Sequence, residues 1–329
     1  DLTAGARYYA YDEERRFLSG GLFSDLNDQT DRTSSDGVNP RFIASYKVSD
    51  NVTVNAQAAK GFRLGGVNDP LNVPLCTPQD LAIFGGFQDY GDETLWNYEA
   101  GIKVQRRGLR LGAAGFYNDI KNLQVTLDAG SCSSRIVFNV PEAHAAGFEF
   151  EAGVSPLDGL DLSVAANYVN AEFDSTVTTG AGVVVGGIRK GNRLPSVPEF
   201  TIAASATYTF SLSDSAEAFV SGTVQHIGSR YTQPSDQEDN PRRFVSRLPF
   251  GGATGLEATV LDLELPSYQL VNLSAGVKLA NGFDLTAYVT NLTNENAKLA
   301  FDRERGGRAR LGFHVTNPRT IGLTARKAF

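Results

Sequence analysis

No stretch of this chain approaches the ~18 consecutive apolar residues of a membrane helix, and methionine is absent altogether. The first absence argues against a helical membrane protein. It leaves a strand barrel open, because a barrel hides its lipid face in odd–even alternation. The second, with an opening DLTAGARYYAY that lacks a basic-then-apolar leader, predicts a processed or truncated chain. Net charge is −7, and no basic stripe carries interleaved aromatics, so nucleic acid is not an expected partner. His144, His226 and His314 are scattered without metal-ligand spacing. There is no G-x-S-x-G, and Gly65-Gly66 and Gly182–Gly187 lack the Lys-Ser/Thr of a phosphate loop. The acid-rich Asp236–Asn240 lacks calcium-ligand spacing. No catalytic residue, metal or cofactor is therefore predicted, and the chain does not read as an enzyme.

What the chain does have is period-two alternation. Val271, Leu273, Ala275, Val277 and Leu279 fall on one face of a strand, with Asn272, Ser274, Gly276 and Lys278 on the other. The turn Ala280-Asn281-Gly282 follows, and Phe283, Leu285, Ala287 and Val289 repeat the pattern against Asp284, Thr286, Tyr288 and Thr290. Asn-Gly between alternating runs marks a hairpin. Each arm has about the ~9–11 residues that a tilted strand needs to cross a bilayer.

Twelve such segments are predicted: 2–18, 41–48, 52–62, 95–105, 109–127, 136–154, 160–173, 199–210, 216–229, 268–279, 283–291 and 318–329. Short connections (49–51, 106–108, 155–159, 211–215, 280–282) alternate with long ones (19–40, 63–94, 174–198, 230–267, 292–317); 128–135 is the exception. Long structureless loops are rare inside compact soluble domains. Clipped turns at one rim and long loops at the other are the plan of an outer-membrane barrel. The predicted fold is thus all-β, a transmembrane antiparallel barrel with its turns at the periplasmic rim. A soluble β-sandwich adhesin is the rival that also alternates faces.

Eight stretches, in order, resemble the C-terminal part of TonB-dependent outer-membrane receptors. They are AKGFRLGGVN (59–68), ETLWNYEAGIK (93–103), AAGFYNDIKNLQV (113–125), NVPEAHAAGFEFE (139–151), GNRLPSVPEF (191–200), YQLVNLSAGVK (268–278), FDLTAYVTNLTNE (283–295) and NPRTIGLTARKAF (317–329). The resemblance implies a plugged barrel of roughly 22 strands in the bacterial outer membrane. It implies import of a scarce solute, most often a ferric siderophore, driven by the TonB complex. On this reading residues 1–329 are the C-terminal portion of the barrel, with the plug and N-terminal strands absent. The alternative is a self-contained twelve-stranded barrel acting as a hydrolase or passive pore.

Candidate residues follow from this topology. Cys76 and Cys132 fall in neighbouring outward loops, either as a disulfide of an exported protein or as two loop thiols. The 298–310 stretch carries Arg303, Arg305, Arg308 and Arg310, and the preceding loop adds Arg230, Arg242, Arg243 and Arg247. Guanidinium forks match carboxylate and phosphate oxygens. These arginines are expected either to gather an anionic ferric chelate, to contact lipopolysaccharide phosphates, or to pair with Asp302, Glu304, Glu238 and Asp239. Tyr231 and Phe244 either stack on ligand or pack within their loop. Trp96, Tyr98 and Tyr168 at one rim, and Tyr208, Phe210 and Phe329 at the other, are expected interface anchors. Phe329, a terminal aromatic in register, resembles the signal read by the barrel assembly machinery. Glu99, Lys103, Glu149, Glu151, Asp161, Lys278 and Asp284 face the lumen, where they meet either a plug or water.

Overall fold

A computed structural model describes residues 1–21, 24–179, 181–247, 249, 251–304 and 310–328. Twelve strands pair in strict chain order into one antiparallel sheet. They are β1 (Leu2–Gly21), β2 (Ser24–Ser49), β3 (Val52–Arg63), β4 (Glu93–Arg106), β5 (Leu109–Asp128) and β6 (Arg135–Leu157). Then come β7 (Leu160–Phe173), β8 (Phe200–Ser213), β9 (Ala216–Ile227), β10 (Tyr268–Leu279), β11 (Phe283–Thr290) and β12 (Thr320–Lys327). Among the described residues no helix is long and apolar enough to cross a membrane.

The register turns separate alternations into one belt. Val277 faces Leu285, Ala275 faces Ala287 and Leu273 faces Val289; Leu285, Ala287 and Val289 face Ala325, Leu323 and Ile321. The same rows run back through Ala218 and Val220 to Val54, Ala56 and Ala58 of β3. No second sheet packs on this face among the described residues: Leu323 is 85% exposed, Ile321 78% and Leu285 55%. Such a continuous apolar surface is untenable in water and natural against lipid. The sandwich is thereby set aside. Stacked aromatics end the belt, with Trp96–Tyr98 and Phe148–Tyr168 toward the loops and Tyr208–Phe210 toward the turns.

The opposite face is polar and paired. Glu217, Lys278, Asp284 and Arg326 stand in one row of alternating charge across β9–β12, an arrangement that favours this register over its neighbours. At the β10–β11 turn Gly282 has φ +83°, and its N–H donates to the Leu279 carbonyl at 2.9 Å. A side chain there would be strained and would crowd the Ala328 carbonyl, 2.9 Å from its Cβ.

Three sequence expectations need correction. Residues 19–40 are not a loop: β1 and β2 run on as a hairpin, pairing down to Gly21 with Ser24. One upper face meets water and the other meets the 64–92 connection through polar groups (Tyr11, Arg15, Ser35), so no apolar alternation betrays it. Cross-strand pairs (Arg16 to Asp28, Arg32 to Glu14) hold it instead. The long loops at 230–267 and 292–317 contain two-stranded ribbons, Arg242–Val245 with Ala258–Leu261 and Lys298–Glu304 with Arg310–Val315. Finally, β1 and β12 each have a single neighbour, so these twelve strands do not close on themselves as the self-contained barrel requires. Phe329 lies outside the described residues.

The β5–β6 hairpin also rises above the belt, and there its apolar face changes sides. Asn122 sits at φ 55° opposite Pro141, at the one gap in the ladder between Lys121–Glu142 and Leu123–Val140. Asparagine tolerates this left-handed conformation. Below it Leu111, Ala113 and Tyr117 face lipid. Above it Val125, Leu127, Ile136, Phe138 and Val140 join Ala143, Phe173, Phe84, Val185 and Ile188 in a buried core formed by the loops.

Placing arginine on the belt tests the facing. Ala287→Arg should cost about 2–4 kcal/mol near the bilayer midplane, whereas Thr286→Arg, one residue away on the polar face, should cost far less. Denaturant unfolding from phospholipid vesicles measures both, and equal costs would contradict the assignment.

Candidate functional site

The connections 64–92, 174–199, 228–267 and 291–319 build a vault over the loop rim with the tip of the β5–β6 hairpin. Cys76 and Cys132 are joined (Sγ–Sγ 2.17 Å), fixing the 64–92 connection to the tip of the β5–β6 hairpin across 56 positions of sequence. Beside them Asp80 accepts from Ser131 N–H at 2.9 Å, Ser131 Oγ at 2.5 Å and Thr77 Oγ1 at 2.9 Å. Thr77 in turn caps helix α1 (Pro78–Phe84), whose Phe84 enters the loop core.

The same connection is tied to the first hairpin through Asp92. Its carboxylate accepts from Tyr9 OH (2.7 Å), Ser35 Oγ (2.5 Å), Tyr11 OH (3.1 Å) and the Gly65 N–H (2.7 Å). Burial alone raises this carboxyl, but the donors from Ser35, Gly65, Tyr9 and Tyr11 outweigh it and hold the group below the ordinary range.

Two cavities of about 670 and 610 Å³ open inside the vault. The first is lined by Phe17, Leu18, Asp69, Asn72, Ser133, Ser134, Arg135 and Asp302. The second is lined by Ile83, Phe84, Leu127, Arg242, Arg243, Phe244, Val245 and Arg247. Asp128, Gly130 and Arg303 line both. In the second cavity four guanidinium groups (Arg242, Arg243, Arg247, Arg303) meet two carboxylates (Asp80, Asp128) over an apolar floor. That composition suits an anion with an apolar body.

Arg303 and Arg242 are not loose rim charges. The Arg303 side chain is 6% exposed and its guanidinium donates to Asp236, which is fully buried. Asp236 also accepts from the Gln233 N–H at 3.0 Å and lies 3.9 Å from Arg242. Arg242 donates to the Ser235 carbonyl. Burial and the neighbouring Arg303 lower the Arg242 pKa, while Asp236 works in the opposite direction.

The sequence-predicted residues divide accordingly. Arg242, Arg243 and Arg303 come together at the second cavity. Tyr231 lines neither; its carbonyl accepts from Ser196 N–H at 2.7 Å, beside the strand pair with Glu264. Arg305 and Arg308 lie outside the described residues, as does the Arg310 side chain. The polar side chains of 236–240 diverge: Asp236 turns to Arg303, Glu238 binds Arg189 at 2.8 Å, and Asn240 donates to Asp262 at 2.7 Å. The pairing of Asp128 and Asp236 with Arg303 escaped sequence reading, since nothing in their local pattern announces a partner 175 or 67 positions away.

Asp236→Ala should leave Arg303 and Arg242 buried without their shared counter-ion, a loss of about 3–5 kcal/mol to local stability. Limited proteolysis within 230–267 should accelerate; an unchanged cleavage rate would refute the buried pairing. Asp92 gives a pH signature. Its folded pKa lies below the unfolded value near ~3.9, so its stabilisation is complete above that value and fades as pH falls through the folded pKa. Corrected for intrinsic rates, hydrogen exchange across 64–92 should be flat above about pH 5 and rise below about pH 4. Asp92→Asn should abolish that dependence.

Over residues 1–292 the chain matches the family described as TonB dependent receptor-like, beta-barrel. The pesticin receptors of Yersinia pestis and Yersinia enterocolitica are 24% identical to it over 205 residues, 62% of this chain and 27% of theirs. The solved ferric yersiniabactin uptake receptor FyuA of Yersinia pestis superposes with a TM-score of 0.74 at 19% identity, covering 100% of this chain and 43% of that one. The siderophore receptor PiuA of Acinetobacter baumannii gives 0.66 at 18% identity, over 98% of this chain and 40% of that one. The chain thus spans less than half the length of the receptors it resembles. Matched over most of its residues and folded like their barrel walls, it belongs to the TonB dependent receptor-like β-barrel family of the bacterial outer membrane.

Proposed function

We propose that this chain is the C-terminal barrel wall of an outer-membrane receptor that captures an anionic ferric chelate, a siderophore, and imports it with energy from the TonB complex. One observation carries the reading: the second cavity sets Arg242, Arg243, Arg247 and Arg303 around an apolar floor inside a vault tied down by a disulfide. Guanidinium groups held in a partly desolvated site discriminate for oxygen anions far better than solvated rim charges do. The long-loop rim is then extracellular, and the short turns face the periplasm. The named relatives are receptors and uptake proteins, and binding followed by gating requires no covalent chemistry from this wall.

The open edges of β1 and β12 favour a longer barrel. Unpaired backbone groups facing lipid cost several kcal/mol each, and about ten further strands would pair both edges. The polar inner face, including Glu99, Lys103, Glu149, Glu151 and Asp161, then meets a plug. Lipopolysaccharide contact above the aromatic belt, and reading of Phe329 by the barrel assembly machinery, belong to the same proposal.

Deleting the gene should impair growth under iron limitation only when the cognate chelate is the iron source. Arg242→Gln with Arg243→Gln should weaken chelate binding to the purified full-length receptor roughly tenfold or more, about 1.4 kcal/mol per decade. Unaltered binding in that double variant would move the capture site elsewhere.

A further inference from the structure

We propose that Arg303 is the fixed post of a partition between the two cavities, and that Asp128 is the displaceable counter-ion which an anionic ligand replaces on it. The proposal rests on the capture reading above and assigns roles inside that site.

The position is geometric. Arg303, Asp128 and Gly130 line both cavities, so the Arg303 side chain and the tip of the β5–β6 hairpin form the wall between them. The two edges of the guanidinium are held differently. Its Nη2 is bound to Asp236, a carboxylate without exposure that is also fixed by the Gln233 N–H at 3.0 Å. Its Nε is buried and has no hydrogen-bond acceptor among the described residues. The nearest carboxylate oxygen to that atom, Oδ2 of Asp128, stands at 3.8 Å, beyond hydrogen-bonding reach. The Phe301 ring lies 4.8 Å from the Arg303 Cζ and braces the guanidinium at its side.

The two acids are therefore unequal. Asp236 cannot leave without exposing a buried cation. Asp128 is 25% exposed, makes only a long-range contact with Arg303, and has a second cation in Arg135 at 3.4 Å. A buried charged donor left unmade is unfavourable, so an oxygen anion delivered to the Nε edge gains more than it would at a solvated arginine. A carboxylate or catecholate oxygen can accept from that Nε–H, its second oxygen reaching the remaining proton of Nη2. Once it is seated, Asp128 turns to Arg135 and the two cavities become continuous around the ligand.

The test uses the complete purified receptor and three anionic probes: ferric citrate, a ferric tris-catecholate and a ferric phenolate–carboxylate chelate. The probe that the wild type binds tightest is carried through the variants by fluorescence titration. Asp128→Asn should bind it about tenfold tighter, since the competing counter-ion is gone. Arg303→Lys should bind it about tenfold weaker, because the charge remains while the fork is lost. Arg303→Gln, which leaves Asp236 with Arg242 as its cation, should weaken binding as much, and an unchanged cleavage rate within 230–267 rules out misfolding as the cause. Unchanged or weaker binding by Asp128→Asn overturns the proposal. If that result comes with weaker binding by Arg242→Gln/Arg243→Gln, the capture site stands and only the partition fails. A wild type that binds none of the three probes removes both.

Discussion

Two demands meet in every strand of this sheet: backbone polar groups must find partners where water is absent, and side chains must sort lipid from lumen. Antiparallel pairing in chain order satisfies the first at each interior strand. Registered alternation satisfies the second, because a slip of one residue between any two strands would put Leu and Val toward the lumen and Lys and Asp toward lipid. The row Glu217–Lys278–Asp284–Arg326 adds an electrostatic reason for the same register on the polar face. The loops can be long and irregular because this wall holds their ends at fixed spacing.

Above the wall the physics changes from lipid partition to core packing and ion pairing. The disulfide, the Asp80 contacts and the Asp92 node all bind the 64–92 connection, respectively to the β5–β6 tip and to the first hairpin. That half of the vault is a braced body with its own apolar core. The other half, from 230–267 and 298–315, packs Phe244, Leu263 and Phe301 into a smaller core. The two halves meet at Arg303 and Asp128. The ligand-sized spaces thus lie along the seam where separately stabilised pieces touch.

The wall was largely legible in the sequence because lipid imposes a one-sided pattern wherever a strand crosses it: Leu273 through Leu279 and Leu285 through Val289 give their facing directly. The projecting part of the β1–β2 hairpin was not legible, since the exposed face (Thr30, Ser34, Asp36) and the half-buried one (Gln29, Thr33, Ser35) are both polar and show no contrast in sequence. The arginines of the site stood out as a cluster of charge, yet their partners did not. Asp236 and Asp128 look like ordinary loop acids, and only the fold brings them to Arg303. Tyr231, picked out as an aromatic in a loop, is placed by backbone pairing away from the cavities. Conspicuous composition found the neighbourhood, whereas long-range pairing decided which residues share it.

The reversal at Asn122 and Pro141 makes one hairpin serve two solvents. Below it the odd-numbered positions of β5 dissolve in lipid; above it the odd-numbered positions are the filling of a protein interior. Lengthening both strands by two residues beneath that joint would lift the roof by one ladder step and leave every side chain in its proper medium. Adding one would invert the lower segment wholesale. The hairpin is thus free in stature and bound in parity.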